Sequence, residues 1–305
     1  TKLNKGAILY GGLMNYGMYG ENSPIKNILS ADELKQLDPN NLVAKIKELT
    51  SYEHYIYYYG RKNIDDVKAL LDENHKTPET LKPLIAAKEF PELTMENNKV
   101  YFVNYDMVQS EVMMLSNAGA YNKNIAATTN VFNEYFGSGL SSIIFQEIRE
   151  SKALAYSAYA VYTSPRKANK SHYVRAYVGT QVDKLADAKK AIMELMNEMP
   201  EVEDQFQDSK MAALKKIETS RTKRSSLFWK YLSAKEMGRD SDINETIYPQ
   251  IKALELADLK TFFNSNIAGK NYTYLVIGNK ELVKMDVLKE MGEVQELSLE
   301  EIFGY

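Results

Sequence analysis

The sequence contains no cysteine and only three histidines, His54, His75 and His172. Without cysteine the chain can form neither a disulfide nor a thiolate metal site, so a zinc site would need His, Asp or Glu ligands. None of the histidines belongs to an H-x-x-E-H, H-E-x-x-H or H-x-x-x-H pattern. The sequence therefore predicts no metal ligand and no cofactor-binding residue in this chain.

Long apolar runs are also missing, and none of the existing ones approaches the length of a membrane span. A net charge of −3 gives no reason to expect nucleic-acid binding. Hydrophobic residues make up 44% and charged residues 26% of the chain, which is the composition of an ordinary soluble globular protein. Because cysteine-free proteins occur in both cytoplasm and periplasm, the compartment stays open.

The chain resembles itself at an offset of about 218 residues. Tyr19–Ile25 corresponds to Met237–Ile243. Glu53–Gly60 corresponds to Asn271–Gly278, and we predict a strand in each of these two segments. Repeats of this length are duplicated domains rather than solenoid units. We therefore predict the C-terminal part of a truncated first domain at residues 1–74, a linker at residues 75–98 and a complete second domain at residues 99–305. Since the chain begins at Thr1, we expect the front part of the first domain to be missing.

Within residues 99–305, runs of alternating or β-branched residues predict strands that come in adjacent pairs. Apolar residues at steps of three and four predict helices between those pairs. This order indicates an α+β domain in which a mainly antiparallel sheet packs against helices on one side. The predicted strands are Lys99–Tyr105, Ser110–Ser116, Tyr156–Thr163, His172–Thr180 and Tyr272–Ile277. The predicted helices include Asn124–Phe136, Leu185–Met199 and Glu201–Gly238, the last as either one long helix or two helices with a break near Ser225.

The run Phe136–Tyr156, FGSGLSSIIFQEIRESKALAY, combines a glycine-rich turn, a short amphipathic helix and the start of a strand. Arg149 lies on this helix without a carboxylate three or four residues away, so no local salt bridge of the usual spacing explains its charge. Arg149 and Tyr156 could both donate to one carbonyl oxygen and stabilise the oxyanion of a tetrahedral intermediate. Alternatively, the arginine pairs with a distant carboxylate and the tyrosine packs in the core.

This run resembles the non-metal half of a peptidase family that includes pitrilysin, insulin-degrading enzyme and mitochondrial processing peptidase. The glycine-rich turn, the phrase around F-Q-E-I-R-E and the L-A-Y tyrosine recur together in that family. The resemblance implies a processing-peptidase-like fold, and two halves of two similar domains each that enclose a chamber for peptides. It also implies that one half binds zinc through H-x-x-E-H and a downstream Glu, while Arg149 and Tyr156 bind the substrate carbonyl.

The resemblance implies that this chain is the C-terminal portion of a zinc-dependent metalloendopeptidase and that the chain is inactive alone. Its zinc would lie outside this chain, and its partners would be peptide substrates and a metal-bearing N-terminal half, either in the same polypeptide or in a partner subunit. The truncated first domain could be the zinc-bearing domain or a third, inactive one. Two alternatives remain: a non-catalytic structural or assembly subunit of the same fold, and a peptide-binding module that uses its many tyrosines.

Overall fold

A computed structural model of the chain describes residues 4–304, and contacts divide the chain into two compact units. The larger unit comprises residues up to 26, residues 90–222 and residues 229 onward. The smaller unit comprises residues 27–89 and 223–228. The two units are defined by contacts between residues. The boundaries expected at residues 74 and 98 rest instead on the sequence repeat, and they stay a prediction.

The larger unit is built on a six-stranded mixed sheet with the strand order β3-β4-β2-β5-β1-β6. β3 pairs with β4, β4 with β2 and β2 with β5 in antiparallel fashion, while β1 pairs with β5 and β6 in parallel. The predicted α+β class with a mainly antiparallel sheet is thus confirmed. The strands are β1 (Lys99–Asn104), β2 (Gln109–Ala120), β3 (Ser157–Thr163), β4 (Ser171–Gln181), β5 (Thr273–Gly278) and β6 (Glu293–Glu296).

Helices surround this sheet and form most of the regular structure of the smaller unit. The long helical region forms two helices rather than one, because one helix ends at Thr219 and the next begins at Leu227. The α-helices are α1 (Met14–Tyr19), α2 (Ala31–Lys35), α3 (Pro39–Glu48), α4 (Ile64–Asn74), α5 (Ala126–Phe132), α6 (Leu185–Asn197), α7 (Glu203–Thr219), α8 (Leu227–Glu236), α9 (Ile243–Ala253), α10 (Leu256–Asn266), α11 (Met285–Lys289) and α12 (Leu299–Phe303). Three π-helices, Ala7–Leu13, Asn133–Gly137 and Phe145–Ser151, precede α1, follow α5 and lie before β3.

Both faces of the sheet are covered, since successive strand residues point to opposite sides. On one face, strand residues pack with α5, α6, α10 and the π-helix Phe145–Ser151; this core includes Phe102, Met114, Val276, Phe132, Ile148, Ile192 and Phe263. The helical pattern predicted helices on this face. The other face is covered by the helix from Ala7 to Tyr19, so the expectation that helices pack on one side alone is wrong; this second core includes Ile8, Leu9, Leu13, Met113, Leu115, Leu275 and Ile277. All residues of the central strand β5 are therefore buried.

The strand expected at Glu53–Gly60 is wrong: these residues form no regular strand. In the described part of the chain, the only isolated bridge near them joins Tyr52 to Lys82. A strand is stabilised by hydrogen bonds to a neighbouring strand, and the corresponding segment β5 has such neighbours on both sides, in β1 and β2. Local alternation predicts the tendency to extend, but it cannot supply the neighbouring strand.

The smaller unit contains three α-helices whose N-termini are capped by side chains. Few of its residues are buried. Ser30 and Glu33 form a capping box, Asp38 caps a helix with Pro39 at its first position, and Asn63 caps α4. α3 and α4 follow each other in the same order as α10 and α11 at the repeat offset. This correspondence is one of element order; an origin of both from one repeated domain stays a prediction.

Candidate functional site

The glycine-rich turn after α5 lies directly against the edge strand β3. Gly137 is buried, and a Cβ built on it would lie 1.3 Å from the carbonyl oxygen of Ala160 on β3. Only glycine permits this contact, because the clash would be with backbone rather than with a flexible side chain. Gly139 has a φ of 129°, which residues with a Cβ rarely adopt. The two glycines thus serve different purposes, close approach at Gly137 and backbone conformation at Gly139.

Asn133 covers the outer edge of β3 beside this turn. Its side-chain amide donates to the carbonyl of Tyr162 at 3.0 Å and accepts the Tyr162 N–H at 2.8 Å. One side chain thus satisfies both main-chain groups of a residue on an edge strand, as a neighbouring strand would. Burial raises the pKa of Tyr162 to about 12, so its phenol stays protonated against the core. These contacts fix the position of the turn relative to β3.

The π-helix Phe145–Ser151 carries Arg149 away from this turn. Its amphipathic pattern predicts burial of Leu140, Ile144 and Ile148. Both isoleucines are fully buried, but the prediction is wrong for Leu140, which is 74% exposed because it lies in the turn before the helix. Ser142 accepts the Phe145 N–H at 3.4 Å, at the start of the helical segment that leads into this π-helix. The helix ends at Ser151, and the chain turns toward β3 through Ala153, which has a positive φ of 47°. Single π-turns occur often at functional sites.

Arg149 and Tyr156 are brought together at the end of this helix. The guanidinium carbon of Arg149 lies 5.5 Å from the centre of the Tyr156 ring and 4.9 Å from the centre of the Phe145 ring. Arg149 is 40% exposed and Tyr156 is 75% exposed. The Tyr156 N–H donates to the carbonyl of Gly179 at 2.9 Å, so the backbone at this residue is held by β4. A guanidinium and a phenol therefore lie side by side on an open surface.

The structure does not agree with the alternative that Arg149 pairs with a distant carboxylate while Tyr156 packs in the core. Tyr156 is exposed rather than packed in the core. Arg149 pairs with the adjacent Glu150 rather than with a distant carboxylate, and its Nε lies 3.6 Å from a Glu150 oxygen. This ion pair is half-exposed and therefore weak. Most of the five N–H donors of the guanidinium remain available to a ligand.

Phe145 is a residue that sequence analysis missed, although it lies four positions before Arg149 on the same helix. Its half-buried ring and the ring of Tyr156 both contact the guanidinium. Contact with two rings limits the rotation of the guanidinium, so we expect Phe145 to position Arg149. The signal that could have found it is the aromatic residue at i−4, where helical side chains meet.

In a complete enzyme containing this chain, we expect Phe145→Leu to lower turnover about 2- to 5-fold. This range corresponds to the loss of one exposed cation–π contact of about 0.5–1 kcal/mol. Phe145→Tyr retains the ring and should keep turnover near that of the wild type. Equal turnover in the Leu variant, measured at saturating peptide, would show that the ring does not orient Arg149.

Two open cavities lie at this end of the sheet, and Tyr156 lines one of them. The nearer one, of about 230 Å³, is lined by Gln109, Ala153, Leu154, Ala155, Tyr156, Gln181 and Lys184. The farther one, of about 530 Å³, is lined by Val108, Gln109, Gln181, Val182, Asp183, Leu282 and Lys284. Gln109 and Gln181 line both cavities and are opposite each other where β2 begins and β4 ends. The two cavities have Gln109 and Gln181 in common, and we call the two together the strand-end groove.

The histidines do not form a metal centre with carboxylates. His54 and His75 lie together in the smaller unit, with their Nε2 atoms 2.7 Å apart, a contact that sequence spacing did not indicate. Among residues 4–304, no group of three or more His, Cys, Asp or Glu side chains could hold a metal ion. The described residues therefore do not fit the zinc that the family resemblance implies.

His172 is buried in the larger unit and serves packing. Its Nε2 accepts the N–H of Asn122 at 2.9 Å, and its Nδ1 lies 3.3 Å from the carbonyl oxygen of Thr163, which can only accept. The ring is thus satisfied as a neutral imidazole with a proton on Nδ1. Burial lowers the pKa of His172 below its ordinary value, because the charged form would lose solvent.

This lowered pKa predicts a pH dependence of stability. The unfolded chain takes up a proton on His172 near the ordinary pKa of about 6.5, whereas the folded protein does not until a lower pH. The contribution of His172 is thus fully present above pH 6.5 and declines as the pH falls below it, by at most about 1.4 kcal/mol per pH unit. Urea unfolding from pH 7.5 to 5 should show a smaller loss for His172→Gln. Equal losses in both proteins would contradict the assignment.

The mixed sheet, the glycine-rich turn against its edge strand and the neighbouring Arg149 and Tyr156 describe an α+β domain, and no metal-binding group of side chains occurs among residues 4–304. The family model described as "Peptidase M16 inactive domain" matches residues 54–217, more than half of the chain. The chain therefore belongs to the peptidase M16 inactive-domain family. No curated protein matches the sequence. No helix in the described range is long and apolar enough to cross a membrane.

Solved structures support the same fold. A peptidase M16 inactive domain from Pseudomonas fluorescens superposes with a TM-score of 0.65 at 16% identity, over 93% of this chain and 67% of that one. A conserved protein from Enterococcus faecalis V583 gives 0.68 at 16% identity, over 89% and 63%. Pitrilysin gives 0.61 at 13% identity, over 97% of this chain and 32% of its own. The chain thus spans about two thirds of the first two proteins and one third of pitrilysin.

Proposed function

We propose that this chain is the substrate-binding C-terminal portion of a zinc-dependent metalloendopeptidase and that Arg149 and Tyr156 bind the scissile carbonyl. The observation that carries the proposal is the side-by-side placement of an exposed guanidinium and an exposed phenol beside the strand-end groove. Membership of the M16 inactive-domain family supports it. Zinc would be held by residues outside the described range, in the same polypeptide or in a partner subunit, so the chain alone is inactive.

The chemical task of the pair follows from its hydrogen-bond donors. A guanidinium is always charged and offers several N–H groups, while the Tyr156 hydroxyl offers one O–H. Both can donate to one peptide carbonyl oxygen that lies above the guanidinium–phenol contact. These bonds strengthen as negative charge develops on that oxygen, so they stabilise the transition state more than the ground state. The anchored backbone of Tyr156 and the stacked Arg149 reduce the reorganisation that such stabilisation would otherwise require.

A structural or assembly subunit of the same fold is the second candidate. It is favoured by the exposed apolar side chains of the smaller unit, such as Ile46, which is 66% exposed on α3. Surfaces of this kind mark interaction sites. The two candidates differ in one measurement, the effect of Arg149 and Tyr156 substitutions on peptide turnover when the metal-bearing part is added. A structural subunit would show no such effect.

A further inference from the structure

The strand-end groove contains two side-chain amides with no hydrogen-bond partner in the described part of the chain, those of Gln109 and Gln181. They are opposite residues of neighbouring strands, so the two amides lie close together on the floor of the groove. A primary amide offers both N–H donors and a carbonyl acceptor. That combination matches the N–H and C=O of a peptide bond, which need partners once they leave water.

The larger cavity of the groove is lined by three aliphatic side chains in addition to the two glutamines and the charged Asp183 and Lys284. Val108 is 80% exposed and Leu282 is 49% exposed, and with Val182 they line the larger cavity. Exposed aliphatic side chains that converge on one cavity provide a surface for an aliphatic ligand group, since its burial removes apolar area from water. The groove thus combines two amides, which line both cavities, with three aliphatic side chains that line only the larger one.

The dimensions of the sheet set the length of peptide that reaches this cavity. Tyr156 precedes β3, and the groove crosses the ends of β4 and β2 toward the loop after β5. Neighbouring strands lie about 4.8 Å apart, so crossing from β3 to β2 covers about 10 Å. An extended peptide advances about 3.3 Å per residue, so this distance corresponds to about three residues.

We propose that the strand-end groove binds the substrate as an extended peptide and selects an aliphatic side chain three or four residues from the carbonyl held by Arg149 and Tyr156. Gln109 and Gln181 hydrogen-bond the peptide main chain, and Val108, Val182 and Leu282 receive the aliphatic group. This inference rests on the proposed function for the position of the carbonyl. The groove itself is formed entirely by the larger unit.

The experiment compares Leu282→Asp and Val108→Asp with a matched control, Met211→Asp. Met211 is 49% exposed on α7 and does not line either cavity, so all three variants place a carboxylate at an exposed apolar position. Labelled peptides carry Leu or Asp at the third and fourth positions on either side of the bond. Peptide binding to this chain alone is measured by fluorescence anisotropy, and cleavage is measured after the metal-bearing part is added.

We expect the wild type and Met211→Asp to prefer the Leu peptides by about tenfold or more, as for a buried aliphatic group. Leu282→Asp and Val108→Asp should lose this preference in binding and in cleavage. Peptides that end two residues from the bond should be handled equally by all variants. If Arg149→Ala loses turnover but Leu282→Asp still prefers the Leu peptides, the groove does not select the aliphatic side chain, and the proposed function is unaffected. An altered preference with no effect of Arg149→Ala would overturn the proposed carbonyl role instead.

Discussion

Replacement of Arg149 by alanine is expected to lower peptide turnover about 10²- to 10³-fold when this chain acts with the proposed metal-bearing part, as for loss of an oxyanion donor. The same range is expected for Tyr156→Phe, which removes only the hydroxyl. Both residues are exposed, and Tyr156 is held through its backbone, so neither substitution should affect folding. The expected loss therefore reports on substrate chemistry rather than on stability.

The two kinetic constants separate this role from simple substrate binding. An interaction that strengthens in the transition state lowers kcat and kcat/KM together and leaves KM nearly unchanged. Arg149→Lys keeps the positive charge but loses the planar fork and the stacking on both rings, so it should restore only part of the lost turnover. Rising KM at constant kcat would instead indicate that the pair binds peptide uniformly.

Matched controls exist within the larger unit. Arg166→Ala removes an exposed arginine from the turn between β3 and β4, and Tyr231→Phe removes the hydroxyl of a tyrosine that is 51% exposed on α8. Both should retain turnover near the wild-type value. Full activity in Arg149→Ala and Tyr156→Phe would exclude the proposed role and favour the structural subunit.

The second large effect concerns stability: Gly137→Ala should lower the free energy of unfolding by about 3 kcal/mol or more. The added Cβ would lie 1.3 Å from the Ala160 carbonyl oxygen, so the turn and β3 must separate. Overpacking of a well-packed interior commonly costs about 1–3 kcal/mol, and backbone on both sides leaves little room for relief here. Separation would also weaken the hydrogen bonds between Asn133 and Tyr162.

Two other glycines control for this substitution. Gly11 lies in the π-helix Ala7–Leu13, and no described atom lies within 4 Å of the position that an added Cβ would occupy, so Gly11→Ala should be neutral or stabilise by up to about 1 kcal/mol. Gly139→Ala introduces backbone strain without a clash, and we expect a loss of about 1–3 kcal/mol. Urea unfolding monitored by circular dichroism measures all three. A loss at Gly137 no larger than at Gly139 would show that the turn can move away from β3.

Much of the larger unit could be predicted from local patterns. The hairpin of β3 and β4 and the strand β5 both follow from residue periodicity and turn residues, which act over a few positions. The same reasoning failed at Glu53–Gly60, because alternation alone does not provide a neighbouring strand. It also did not reveal that the helix from Ala7 to Tyr19 covers the second face of the sheet, since the apolar stripe of a helix does not specify its partner.

The candidate site shows the same division. The spacing of Arg149 and Tyr156 on either side of a helix end indicated that the two residues could act together, because that relation is contained in one short segment. The amino-acid sequence by itself thus determined the α+β class, the lack of a cysteine or histidine zinc motif and the arginine–tyrosine pair. Only the tertiary structure decided that Gly137 meets Ala160 and that Gln109 faces Gln181. These contacts depend on the pairing and register of distant segments, which no local pattern specifies.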